Sequence, residues 1–286
     1  MVNIKRDKKY SPDFIGIGAM RCGTTWVADK LRSHPGIYIP PNFKELHYFD
    51  KFYRKGIDWY EDHFSNKKEN QIAGEFTPKY LRDEIISSFI YKDYPNVKLI
   101  ISLRDPVKRA YSHYNFLKKH SSISNDFYDA LFDDNYEILK AGLYGKQITT
   151  YLTLFPRENI HIIMFDDIIN SPEAVVKELY KFLDVSMEFI PKGLTKIVNK
   201  KNMVRSNIIS RSIRKTKQYF RPKSASRRVI RYLGLYHFFK LVQILNSKNY
   251  VEIEIDQKTD NYLKDYYHED LLILNKLLDG KVSHWI

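Results

Sequence analysis

One cysteine, Cys22, stands in a chain of 286 residues. A disulfide framework within the chain is therefore excluded, and a reducing compartment fits. Long apolar runs are missing too, since none approaches the roughly 18 residues that a membrane-spanning helix requires. The first residues, Met1-Val-Asn-Ile-Lys-Arg-Asp-Lys-Lys, are charged but lack the apolar stretch and small-residue cleavage site of a secretory signal. With a mean hydropathy of −0.46, these absences read as a soluble, cytosolic protein. Acidic residues are absent from one stretch: between Lys196 and Tyr232 thirteen basic residues stand without a single Asp or Glu. The chain carries 47 Lys+Arg against 34 Asp+Glu, a net +13, so this stretch holds the whole excess. Unless it is only a solvated helical surface, it faces an anion: a nucleic acid, an anionic membrane, an acidic polysaccharide or a multiply phosphorylated cofactor.

The remaining composition is that of a globular protein, 43% hydrophobic and 28% charged, with length for a sizeable core. Phe14–Gly18 reads as a strand, followed by a loop and the helical Trp26–Arg32. Val97–Leu103 is a second apolar strand, after which Asp105-Pro106 supplies an N-cap and a first-turn proline. The helix that follows places Val107, Ala110, Tyr114 and Leu117 on one stripe. Ile160–Phe165 predicts another buried strand, and Ser171-Pro172-Glu173 caps a helix to about Leu183 in the same manner. Ile72–Glu75 predicts a shorter strand before a helix from about Pro78. Leu263, Tyr267, Leu271, Leu274 and Leu278 recur at helical spacing. Strands alternating with helices predict an α/β fold, a central and mostly parallel sheet flanked by helices. A single domain over 1–286 is expected, with a core over about 12–190 and a basic, helical portion over about 191–286.

Gly18-Ala-Met-Arg-Cys-Gly23-Thr24-Thr25 has the spacing of a phosphate loop between a strand and a helix. The nucleoside-triphosphatase form places Lys directly after the second glycine; here Thr24 stands there. The loop's cation is instead Arg21, two residues before Gly23. This form, glycine, two residues, Lys or Arg, one residue, then Gly-Thr-Thr, resembles the 5′-phosphosulfate loop of sulfotransferases that use 3′-phosphoadenosine 5′-phosphosulfate (PAPS). Further matches follow in order: His34-Pro35, Lys44-Glu-Leu-His-Tyr-Phe-Asp50, Gly74-Glu-Phe-Thr-Pro-Lys-Tyr80, Leu103-Arg-Asp-Pro-Val-Lys-Arg-Ala-Tyr-Ser112, Asp265-Tyr-Tyr267 and Trp285. The chain is similar over most of its length to the bacterial and heparan-sulfate-type branch, with its P-loop-like nucleotide-binding fold.

The resemblance implies PAPS as co-substrate, 3′-phosphoadenosine 5′-phosphate (PAP) as product and no required metal. Arg21 and the amides of Cys22, Gly23, Thr24 and Thr25 would stabilise the 5′-phosphate as the S–O bond breaks. Arginine does not release a proton, so an acid role for this position is not carried over. Arg104 and Ser112 are implied to hold the 3′-phosphate, unless Arg104 pairs with Asp105 and Ser112 is an ordinary helix serine. Lys200, Lys201 and Arg205 are further candidates for it. Trp26 stands either against adenine or in the core.

Glu45 and His47, two apart in a segment expected to be extended, would share one face with Leu46 opposite. A carboxylate and an imidazole facing one cleft suit general-base catalysis on an alcohol. By resemblance Glu45 is the base, unless it forms a salt bridge to adjacent Lys44 or to the basic segment, with His47 as an orienting or acceptor-binding partner. Lys44, Asp50, Glu75 and Lys79 are expected on the acceptor side, and Phe76 stands where the heparan enzymes commonly carry lysine. The acceptor is then a hydroxyl, taken as that of a glycan, with no specific nucleic acid involved. Two other readings stay open: a P-loop kinase, for which no partner aspartate for Mg²⁺ is evident, and a non-catalytic binder of nucleic acid or another polyanion acting through 196–232.

Overall fold

The computed structural model describes residues 10–194 apart from 122 and 125, the paired stretches 203–204 and 247–248, and residues 255–286. Lys200, Lys201 and Arg205, with nearly all of the basic stretch, lie outside the described residues. In chain order the main elements are β1 (Phe14–Gly18), α1 (Thr24–Arg32), β2 (Ile37–Tyr38), α2 (Ile57–Glu61), β3 (Ile72–Phe76), α3 (Glu84–Asp93) and β4 (Lys98–Leu103). They continue with α4 (Pro106–His120), α5 (Phe127–Leu131), α6 (Tyr144–Leu152), β5 (Ile160–Met164), α7 (Phe165–Asn170), α8 (Pro172–Phe182) and a long helix, α9 (Gln257–Leu277). The strands form one parallel sheet in the order β2-β3-β1-β4-β5.

All five residues of β1 are buried, as expected of a strand covered on both faces. The period of two sorts its side chains: Phe14 packs toward α1 and α8, while Ile15 and Ile17 join the core beneath α3, α4, α6 and α9. In β4, Leu99, Ile101 and Leu103 take the second side and Ile100 the first. The predicted stripe Val107, Ala110, Tyr114 and Leu117 is buried as a unit. The Asp105 carboxylate accepts from the Val107 and Lys108 N–H groups at 2.8 and 3.1 Å, capping α4. In α9, the buried Asp270 accepts from the N–H groups of Gly145 and Lys146 at 2.7 and 2.8 Å, so one helix caps the first turn of another.

Three local expectations are corrected. The strand predicted over Ile160–Phe165 stops at Met164, because Phe165 already begins α7. No helix starts near Pro78; a 3-10 turn over Tyr80–Arg82 intervenes, and α3 begins at Glu84 behind its cap Asp83, which accepts from Ile85 N–H at 3.2 Å. Ser171 precedes α8 but makes no side-chain capping bond.

Candidate active site

The phosphate loop leaves the C-terminal end of β1, the central strand, where open parallel sheets place their ligands. Gly23 turns the chain into α1 with φ 91°, a region that favours glycine, and no side chain caps the helix start. The first amides of α1 are thus left for an anion. Ala19 N–H donates to Ser102 O at 2.8 Å, and the Ser102 hydroxyl donates to Cys22 O, fastening the loop to β4. The Cys22 thiol is buried beside the Tyr144 hydroxyl at 3.4 Å, and burial pushes its pKa up; the Cys22 N–H, expected to face the 5′-phosphate, donates to Ala19 O at 3.3 Å instead.

Arg21 Nε donates to Ser112 Oγ at 3.3 Å, and its guanidinium lies 4.9 Å from the centre of the Phe116 ring. Arg104 lies 4.6 Å from the centre of the Phe165 ring. Burial first, and then the charge of Arg104, lower the Arg21 pKa from its ordinary value. Neither arginine pairs with a carboxylate among the described residues; Asp105 faces its helix amides and Lys108 instead. Two crowded cations resting on aromatic faces, beside a hydroxyl and free helix amides, have the chemistry to receive an anion. The residues assigned separately to two phosphates thus come into contact. Phe116 and Phe165 were missed, although Phe116 lies four residues after Ser112 on the same helix face.

Across the loop, a cleft is lined by Thr24, Thr25, Lys44, Glu45, Phe76 and Pro78. His47 Nε2 meets Glu45 Oε2 at 3.1 Å, and His47 Nδ1 meets Asp50 Oδ2 at 3.0 Å. Leu46 is buried behind them. The shared face is achieved without an extended strand: His47 has φ 54°, which swings the chain into a π-helical turn over Tyr48–Phe52. The Asp50 hydrogen bond, then that of Glu45, raise the His47 pKa to about 9. Burial alone would raise the Glu45 pKa, but the His47 hydrogen bond and the charge of Lys44 outweigh it and bring it below the usual value. Glu45 is therefore an ionised acceptor at neutral pH, held by an imidazolium that Asp50 orients.

Because the folded His47 pKa lies above the free value of 6.5, its contribution to stability is complete below that pH and is lost as pH rises through about 9. Thermal unfolding of the wild type is expected to lose more stability from pH 7 to pH 10 than that of His47→Gln, as scanning calorimetry would show. Equal losses would contradict the imidazolium.

Other expected site residues lie elsewhere. Trp26 is 6% exposed and its indole N–H donates to Leu194 O at 3.0 Å, so it packs in the core and presents no open face to adenine. Glu75 is 2% exposed and does not face the cleft; Thr77 Oγ1 donates to it at 2.7 Å and Tyr60 OH at 3.3 Å. Burial lifts the Glu75 carboxyl to about 7, against the opposing hydroxyls of Thr77, Tyr80 and Tyr60. Asp50, with a side chain 4% exposed, faces His47 and not an acceptor. Lys44 is well exposed at the cleft rim, 3.4 Å from Glu45. Lys79 is partly exposed at the turn after Pro78. Phe76 is nearly buried in the crowded space over Gly16, where an added Cβ would fall 1.9 Å from its ring.

Among the described residues no helix is long and apolar enough to cross a membrane, and no cluster of His, Cys, Asp or Glu has the form of a metal site. Residues 11–228 match the sulfotransferase domain family. The chain is 28% identical over 278 residues to the membrane-associated sulfotransferase kil1 of Dictyostelium discoideum, covering 64% of this chain and 59% of that protein. It is 30% identical over 202 residues to heparan sulfate glucosamine 3-O-sulfotransferase 3A1 of Mus musculus, covering 68% of this chain and 49% of the relative. It thus spans about half the length of such relatives. A sulfotransferase from Alicyclobacillus acidocaldarius shares the fold, with a TM-score of 0.70 at 23% identity over 96% of this chain and 98% of the other. With a family match through the phosphate loop, the Glu45 segment and the strand that ends just before Arg104, the chain belongs to the sulfotransferase family.

Proposed function

We propose that the chain transfers a sulfuryl group from PAPS to a hydroxyl of a carbohydrate, with Glu45 as general base. The observation that carries this reading is the gathering of Arg21, Arg104 and Ser112 at the phosphate loop without a carboxylate among them. A donor bearing a 3′-phosphate as well as a 5′-phosphosulfate divides its charge between two separate anionic groups, whereas a 5′-triphosphate places a similar charge at one end. Glu45, already ionised, takes the proton of the acceptor hydroxyl as that oxygen bonds to sulfur. The electron pair of the broken S–O bond remains on the 5′-phosphate, where Arg21 and the amides from Gly23 to Thr25 meet the growing charge. The donor supplies an SO₃ unit and an anionic leaving group; the transferred unit is singly charged, which asks less neutralisation than a phosphoryl group. A glycan acceptor is supported by the heparan sulfate named for the mouse relative and by the open, Lys44-rimmed cleft beside Glu45.

The donor is tested by calorimetric titration with PAP in EDTA, compared with ADP and with Mg-ATP. Selective binding of PAP is expected, weakened about 10- to 100-fold by Arg104→Ala, the loss of one or two charge-assisted hydrogen bonds. Equal binding of all three nucleotides would overturn the donor assignment. Transfer of labelled sulfate to heparan sulfate, compared with simple phenols, tests the acceptor class.

A further inference from the structure

Glu75 lies on β3, inside the protein, with no cation paired to it among the described residues. Its partners are all donors. Thr77 Oγ1 and Tyr60 OH donate to its two oxygens, and the Tyr80 hydroxyl and the Leu46 backbone N–H are directed to the same carboxyl. Above about pH 7 the carboxyl is ionised and only accepts, so each hydroxyl hydrogen is then committed to it and each hydroxyl's lone pairs are left to face outward. Those lone pairs meet the chain that carries the catalytic groups: Thr77 Oγ1 accepts from His47 N–H at 3.3 Å, and Tyr80 OH accepts from Phe49 N–H at 3.3 Å. One buried group therefore orders the amides of Leu46, His47 and Phe49, the entry to the π-helical turn. His47 sits there at φ 54°, a left-handed conformation uncommon for a non-glycine residue.

We infer that Glu75 is a positioning residue: through Thr77 and Tyr80 it holds the backbone that brings Glu45, His47 and Asp50 into line. This deepens the proposed function and rests on it only in naming Glu45 the base. The geometry is independent of the acceptor, because the network lies behind the cleft, on the side of Leu46 and Tyr60. It also accounts for Phe76 and Glu75 pointing opposite ways from β3, the ring to the cleft wall and the carboxylate to the floor beneath the turn.

The test reads His47 directly by its imidazole resonances in NMR, assigned with His47→Gln, through a pH titration. Wild type and Thr77→Ser, which keeps the hydroxyl, are expected to titrate near 9. Glu75→Gln and Thr77→Val are expected to fall by about one pH unit or more toward the ordinary imidazole value, while PAP binding stays within about twofold, a change of roughly 0.4 kcal/mol. His47 midpoints unchanged in both variants, or equal shifts in Thr77→Ser and Thr77→Val, would overturn the inference. Loss of PAP binding along with the His47 shift would also overturn it, as a general loss of structure. Should Glu75→Gln fail to fold, the Thr77 pair carries the comparison alone. Absent sulfate transfer by the wild type would instead count against the proposed function and leave the His47 readout standing.

Discussion

Glu45→Gln is expected to lower turnover by about 10²- to 10⁴-fold, the range for a lost general base, while PAP binds as before. Glutamine keeps the volume and a carbonyl oxygen for His47 but does not take a proton. The bond at 3.1 Å makes the imidazolium a neighbour of the reacting carboxylate, so the substitution also leaves His47 with Asp50 as its remaining acidic partner and lowers its pKa. Steady-state kinetics with PAPS and heparan sulfate would show the loss in kcat, with the KM for PAPS nearly unchanged. Turnover within tenfold of wild type would remove Glu45 from the role of base and turn attention to a substrate-assisted route.

The second large effect is expected at Arg21. Arg21→Ala removes the cation of the phosphate loop and is expected to cost about 10²- to 10³-fold in kcat, as the loss of one preorganised donor at a site of developing charge does. Arg21→Lys keeps the charge but loses the Nε donor to Ser112 and the broad contact with Phe116. It is expected to recover at least tenfold of the alanine loss, since a point charge still faces the leaving phosphate. The two arginines are separable by their signatures: Arg104→Ala acts on PAP affinity, Arg21→Ala mainly on the chemical step. An Arg21→Ala variant that binds PAP weakly and turns over normally would move Arg21 from the leaving group to ground-state binding.

The parts of this fold that were legible in sequence are those with local causes. Phe14–Gly18 is a run of buried-strand residues closed by a glycine, and Asp105-Pro106 places a cap and a fixed φ at one helix start. The pair Glu45 and His47 was also legible by its spacing, although the actual backbone reaches the same face through a left-handed residue. What escaped depends on residues far apart in the chain. Glu75 in a strand gives no sign of which face it takes; Tyr60, Thr77 and Tyr80 converge on it only once α2 and the 3-10 turn are packed. Trp26 next to a phosphate loop invites an adenine, and its burial depends on Leu194, 168 residues on. β2, only two residues long, is too short for any periodicity to register. The start of α3 at Glu84 had a signal, Asp83 as cap, that the proline at 78 obscured.

The order of the sheet separates two jobs in the chain. From β1 the polypeptide first builds β2 and β3 on one side, and only then crosses to β4 and β5 on the other. Lys44, Glu45, His47 and the Glu75 network all belong to the first excursion, whereas Arg104 and Ser112 belong to the second. Under the proposed chemistry, the choice of alcohol is written between residues 39 and 80 and the grip on the nucleotide between 103 and 116, in stretches that share no strand. Exposed cleft positions of the first stretch, such as Lys44, can therefore change without disturbing the second, whereas its buried residues Leu46, Phe49 and Tyr80 share one core with Leu103, Val107 and Tyr111. A lineage built on this plan is free to diversify what it sulfates while keeping one donor, and the exposed cleft positions of that first stretch are the natural unit for re-targeting.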